Sequence, residues 1–267
     1  MPGSAGRVKS ADGTVIAFDR RGEGPAVVLV QGAFTDRRHP LMTAIADGLA
    51  RWFTVYSYDR RGRGDSGDTA PYAVAREIED LAAVIDEAGG SVMVFGGSSG
   101  AALALEAAVV NPAIAKLAVW EPPYHVDEGA PALPLDFARR LDALVSAGRR
   151  GEAVERFMVE AAEVPPADVA AMRSHAFWAQ AEAMARTLVY EAAVLGPGNA
   201  LPAGRLAGIK RPTLVLNAAL SPRWMANAGL AVAGAIPGAV RRVLEGQAHN
   251  VAPEALVPEV LEFFVAA

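Results

Sequence analysis

The segment Gly96-Gly97-Ser98-Ser99-Gly100 has the spacing G-x-S-x-G, which suits a nucleophilic serine. A strand that turns this sharply into a helix forces the central serine into a strained backbone conformation, and only residues without side chains fit around it. The turn lifts Ser98 Oγ above the sheet edge. There the Ser99 backbone N–H and the helix dipole can face a developing oxyanion. The alternative is a plain Gly/Ser turn between two buried elements. The flanks favour the nucleophile: Val92, Met93, Val94 and Phe95 read as a buried strand, and the Ala-rich run after Gly100 reads as a buried helix.

A serine nucleophile needs a base, and the chain has four histidines. His39 falls in a loop before the first long helix, His125 and His175 fall in a later helical block, and all three read as ordinary surface residues. His249, in Gly246-Gln247-Ala248-His249-Asn250, lies between the last strand and the last helix. In a doubly wound sheet the chain end returns beside the central strands, so this loop reaches the sheet's carboxyl edge, where Ser98 is expected.

The elements that must position these groups follow an alternating pattern. Short apolar runs at 14–19, 26–30, 54–58, 92–95, 117–120, 213–216 and 240–244 read as strands. Helical spacing appears at 41–52, 75–88, 223–235 and 253–265. This predicts an α/β fold with a mostly parallel sheet covered on both faces. From Pro122 to about Gly208 the alternation stops, and the runs 137–147, 153–162, 167–175 and 177–194 all read as helices. The expected organisation is a core of residues 1–122 and 209–267 with a helical cap inserted at 123–208. Ser91 to Val110 has the length of a membrane span, but its glycine-rich middle and its change of period favour strand, turn and helix over a span.

Composition narrows the function. The 267 residues include no Cys, which excludes a cysteine nucleophile, thiolate metal sites and a disulfide scaffold. The charge balance of −5 and the lack of basic clusters argue against nucleic acid. A polar, Gly-rich start without a basic-then-apolar pattern points to the cytoplasm rather than secretion. No grouped His and carboxylates suggest a metal. Gly62-Arg63-Gly64-Asp65-Ser66-Gly67 fits G-x-G-x-x-G after a strand, but a polar loop follows where a dinucleotide site needs a helix.

The chain resembles the α/β-hydrolase fold family over nearly its whole length. The resemblance rests on Val28-Leu29-Val30-Gln31-Gly32-Ala33, the stretch from Tyr58 to Gly67, the serine turn, Arg211-Pro212-Thr213-Leu214-Val215-Leu216 and the His249 loop. It implies an eight-stranded-type sheet, Ser98 as nucleophile, His249 as base, and an oxyanion hole from the backbone N–H groups of Ala33 and Ser99. Three departures stand out: Gln31 where many relatives have His, Gly97 where many have a bulky residue, and no acid after the seventh strand, where Asn217 to Ser221 contain none. Some members of the family place the acid after the sixth strand instead. Glu121 sits there, fixed by Pro122 and Pro123, and can orient the His249 imidazole. Two other readings remain: Glu121 paired with an arginine at the hinge, and Asp127 or Glu128 as the acid.

The expected function is a cofactor-free serine hydrolase acting on an ester, thioester or lactone of a small organic molecule through an acyl-enzyme. The alternatives are a non-hydrolytic enzyme of the same fold, such as a cyclase or lyase, and a ligand-binding protein on this scaffold. The sequence does not specify an oligomeric state.

Overall fold

The computed structural model describes residues 3–266. Its sheet has eight strands in chain order β1 (Ser4–Lys9), β2 (Val15–Arg21), β3 (Ala26–Val30), β4 (Thr54–Tyr58), β5 (Val92–Gly97), β6 (Ile114–Trp120), β7 (Thr213–Ala218) and β8 (Val240–Leu244). Their spatial order is β1-β2-β4-β3-β5-β6-β7-β8. The β1–β2 and β2–β4 pairs are antiparallel, and every later pair is parallel. The central parallel strands β3 and β5 read as continuous apolar runs because both of their faces are covered, whereas the edge strand β8 is largely exposed and carries Arg241 and Arg242.

Successive residues alternate between two cores. Val27, Leu29, Met93 and Phe95 pack against α1 (Pro40–Leu49) and α11 (Pro253–Val265) through Met42, Ile45, Leu256, Val260 and Phe264. Val28, Val30, Val92 and Val94 pack on the other face against α2 (Val74–Glu87) and α3 (Ser99–Val110) through Leu81, Val84, Ile85 and the alanines of α3. The run from Ser91 to Val110 is therefore β5, a turn and α3. Among the described residues, no helix is long and apolar enough to cross a membrane.

Between β6 and β7 the chain forms α4 (Phe137–Ser146), α5 (Arg150–Arg156) running into a π turn at Phe157–Ala161, α6 (Pro166–Met172), α7 (Ala176–Ala183), α8 (Ala185–Leu195) and α9 (Ala203–Leu206). Helices α4 to α8 share their own apolar cluster, including Leu141, Val154, Phe157, Trp178 and Leu188, and Ala33 and Phe34 pack against it, whereas Leu206 of α9 joins the sheet core. The block thus sits over the loop that follows β3. α10 (Arg223–Ala235) returns the chain to the sheet.

Two features departed from the sequence pattern. β1 carries no apolar run, because it is a largely exposed antiparallel strand at the sheet edge. The helix expected over 177–194 breaks at Met184, although propensity offers no stop there. Tertiary ties set the break: α8 is bound to the loop after β4 by Arg186–Asp68, Tyr190–Asp68 and a stacked Tyr72–Tyr190 pair.

Candidate active site

Ser98 joins β5 to α3 with φ 55° and ψ −127°, a conformation that costs a non-glycine residue about 1–3 kcal/mol. Packing explains the glycines around it. A Cβ on Gly96 would lie 2.6 Å from Gly100 O and 2.9 Å from Ala101 Cα, and one on Gly100 would lie 2.4 Å from Val30 O. A Cβ on Gly97 would meet nothing within 4 Å, so that position is open space beside the serine rather than a steric requirement. Ser99 is the first residue of α3, where the backbone N–H has no partner inside the helix.

The loop after β3 comes against this turn. A Cβ on Gly32 would lie 2.9 Å from Gly97 O and 3.0 Å from Ser98 Cβ, so only glycine lets the two backbones approach this closely. Ala33 follows directly, and Phe34 has φ 58°. The Phe34 ring meets Phe157 and Phe177 edge-on at centroid distances of 5.6 and 5.9 Å, forming an aromatic wall between the loop and the helical block.

Ser98 and His249 are tied to the same sheet edge through Trp120. Ser98 N donates to Trp120 O at 2.8 Å, and the Trp120 indole N–H donates to His249 O at 3.0 Å. The next residue, Glu121, is fully buried with φ 43°, and its backbone N–H donates to Leu216 O at 3.0 Å. One carboxylate oxygen accepts from Ala218 N at 2.9 Å. The other accepts from Ser221 Oγ at 2.9 Å and lies 2.8 Å from His249 Nδ1. A buried carboxylate is tolerated when its lone pairs are filled in this way. Contact with the carboxylate favours the proton on Nδ1 and leaves Nε2 as the acceptor. The imidazole is partly exposed, at 39%.

The arginine pairing considered for Glu121 is not formed; its partners are the last residue of β7, Ser221 just after it and His249 in the loop after β8. Asn217, near the end of β7, is buried and turned elsewhere, donating to Met225 O and accepting from Arg241. Asp127 accepts from Asn227 and from Gly129 N, away from His249. Among the other histidines, His39 caps α1, His125 lies edge-on to Trp224, and His175 is exposed. A cavity of about 680 Å³ is lined by Asp127, Glu128, Glu163, Pro222, Trp224 and Asn227 among others, and none of Ser98, His249, Glu121, Ala33 or Ser99 lines it.

The sequence did not reveal the support under this edge. Arg60, Arg61 and Arg63, in the loop after β4, are all buried. Arg60 pairs with Glu77 and Glu191, and Arg61 with Asp80 and Asp12. Burial raises the Glu77 carboxyl, but the Arg60 charge outweighs it and holds Glu77 below the ordinary carboxylate range. Burial, followed by the neighbouring Arg60 charge, lowers Arg63 to about 9, so it stays protonated at neutral pH. Three arginines within five residues of a strand exit were the available signal. Their burial was not readable from sequence.

Of the five non-glycine residues with positive φ among the described residues, Phe34, Ser98 and Glu121 gather at this one edge. Strain concentrated in this way marks functional sites. An eight-stranded, mostly parallel sheet with a strained serine after β5 and a histidine–carboxylate pair at the same edge defines an α/β-hydrolase. The sequence pattern of the Alpha/beta hydrolase family matches residues 27–259, and the chain belongs to that family.

The structure of an alpha/beta hydrolase from Sphaerobacter thermophilus DSM 20745 is 52% identical, with a TM-score of 0.91 over 97% of this chain and 100% of that one. A thermophilic esterase from Thermogutta terrifontis shares the fold at 21% identity and a TM-score of 0.71, covering 98% of each chain. An uncharacterized hydrolase of Bacillus subtilis, YraK, is 34% identical over 109 residues; that match spans 38% of this chain and 38% of that protein.

Proposed function

We propose that the chain is a serine hydrolase that cleaves an ester, thioester or lactone of a small organic molecule through an acyl-enzyme. His249 Nε2 takes the Ser98 hydroxyl proton as Oγ attacks the carbonyl carbon. The resulting oxyanion receives N–H groups from Ala33 and Ser99. The tetrahedral intermediate collapses, and His249 returns its proton to the leaving oxygen or sulfur. Water, activated by the same imidazole, then attacks the acyl carbon and restores Ser98. Glu121 holds the imidazole in the required tautomer and stabilises its charged form.

The observation that carries this reading is the buried Glu121 carboxylate at 2.8 Å from His249 Nδ1, behind a serine held at φ 55°. A carboxylate on the imidazole supports hydrolysis over the non-hydrolytic alternative, because a Ser–His pair without its acid is a poor hydrolase. Phe34, Phe157 and Phe177 favour an apolar acyl or alkyl group beside the oxyanion hole. In this reading residues 123–208 act as a cap whose helices cover the site, and the enzyme works in the cytoplasm without a cofactor. A p-nitrophenyl ester tests the proposal: the wild type should show a burst, and Ser98→Ala should lose about 10⁴-fold or more in turnover while staying folded. Full turnover by Ser98→Ala overturns it.

A further inference from the structure

We propose that Arg63 is a positioning residue for the oxyanion hole and acts through the Gly32–Ala33 peptide. The inference rests on the hydrolase reading above and concerns how its oxyanion donor is held. Gly32 C=O and Ala33 N–H are opposite ends of one planar peptide group, so fixing the oxygen fixes the direction of the N–H. Arg63 Nη1 donates to Gly32 O at 2.6 Å and to Thr35 O at 3.1 Å. Thr35 Oγ1 donates to the same Gly32 O at 2.9 Å, so both lone pairs of that carbonyl are engaged. The closeness of Gly32 to Gly97 O and Ser98 Cβ presses this peptide against the serine turn.

The guanidinium is itself immobilised. Its Nε donates to Thr187 Oγ1 at 3.2 Å, and Nη2 is ion-paired with Glu191. Arg60 reinforces the clamp: Nη1 donates to Gln31 O at 3.2 Å, one peptide earlier, and to both oxygens of Glu191 at 3.0 and 2.9 Å. Arg60, Arg63 and Glu191 are all buried. A planar fork of donors can hold two carbonyls, a hydroxyl and a carboxylate at once, whereas a lysine ammonium cannot reproduce that geometry. A charged donor on Gly32 O also polarises the peptide and strengthens the Ala33 N–H as a donor. Thr187 and Glu191 belong to α8, so the helical block takes part in setting the oxyanion hole.

The test compares wild type, Arg63→Lys and Thr35→Val, with Ser98→Ala as the control. It measures kcat and KM on a p-nitrophenyl ester and the inhibition constant of a trifluoromethyl ketone, whose adduct places an oxyanion in the hole. Loss of a whole oxyanion donor costs about 10²–10³-fold, so misdirecting one should lower kcat roughly 10–100-fold in Arg63→Lys and about 3–10-fold in Thr35→Val. KM should stay within about threefold, and ketone affinity should weaken by the same factor as kcat/KM. A merely structural role would lower the melting temperature without that parallel loss. Thr35→Val decides the matter even if Arg63→Lys does not fold: unchanged kcat and ketone affinity in this variant overturn the inference. A rise in KM alone overturns it too. A wild type that does not react with a fluorophosphonate overturns the hydrolase reading and this inference with it, whereas a reactive wild type with unaffected variants overturns this inference alone.

Discussion

Glu121→Gln separates the charge of the buried carboxylate from its size. Glu121 accepts hydrogen bonds from Ala218 N and Ser221 Oγ and contacts His249 Nδ1, all at 2.8–2.9 Å. In the variant, the amide oxygen can keep Ala218 N–H while the NH₂ group faces Ser221 and His249. The serine hydroxyl can rotate to accept. The imidazole must then accept on Nδ1 and carry its proton on Nε2, which leaves Ser98 without a base. An analogous Asp-to-Asn change in a serine protease lowers kcat about 10⁴-fold, so a loss of roughly 10³–10⁴-fold is expected here. The stability change should be small: a charge-assisted hydrogen bond contributes about 1.5–3 kcal/mol, and the easier burial of a neutral amide offsets much of it. Steady-state kinetics on a p-nitrophenyl ester and a thermal melt measure both quantities. A folded variant with kcat within tenfold of wild type would refute the triad assignment of Glu121.

Three further outcomes are expected. Gly96→Ala drives a methyl into Gly100 O and Ala101 Cα and should cost about 1–3 kcal/mol, or roughly 3–10 °C in melting temperature, whereas Gly97→Ala, facing open space, should melt within a few degrees of wild type; equal shifts would contradict the packing argument. Amide exchange should be faster in α6 and α7, which bury only Val169, Trp178 and Ala181, than in β3, β5 or the tied helix α8, and uniform protection would count against a mobile cap. Asp12 is held at about 2, chiefly by its hydrogen bond with Thr14 and then by Arg61. Its folded pKa lies below the unfolded value, so its stabilisation is present above about pH 4 and lost as pH falls through about 2. The melting temperatures of wild type and Asp12→Asn should therefore converge on acidification, and a constant gap would refute that assignment.

The serine turn was legible because its glycines are a steric necessity: Gly96 and Gly100 have no room for a methyl group. The middle of the sheet was legible because strands buried on both faces, such as β3 and β5, are written as unbroken apolar runs. His249 could be placed from its loop between β8 and α11, since chain order alone carries that loop to the carboxyl edge. Glu121 was reached by elimination together with the family resemblance, because its pairing depends on donors, Ala218 N–H at the end of β7 and Ser221 Oγ just beyond it, that carry no signal in the sequence. The arginine clamp stayed hidden for a related reason. A charged residue in a Gly-rich loop reads as solvated, and the ion pairs that bury Arg60 and Arg63 come from Glu77 and from Glu191, far along the chain. β1 escaped because an exposed edge strand carries no apolar signal.

Mass spectrometry of the fluorophosphonate-labelled protein tests the central claim most directly, because the probe bonds only to an activated nucleophile. The account predicts one adduct, on Ser98, with the labelling rate falling at least about 10³-fold in His249→Ala and in Glu121→Gln. An adduct on another residue, or a rate on Ser98 that does not change when His249 is removed, would contradict it.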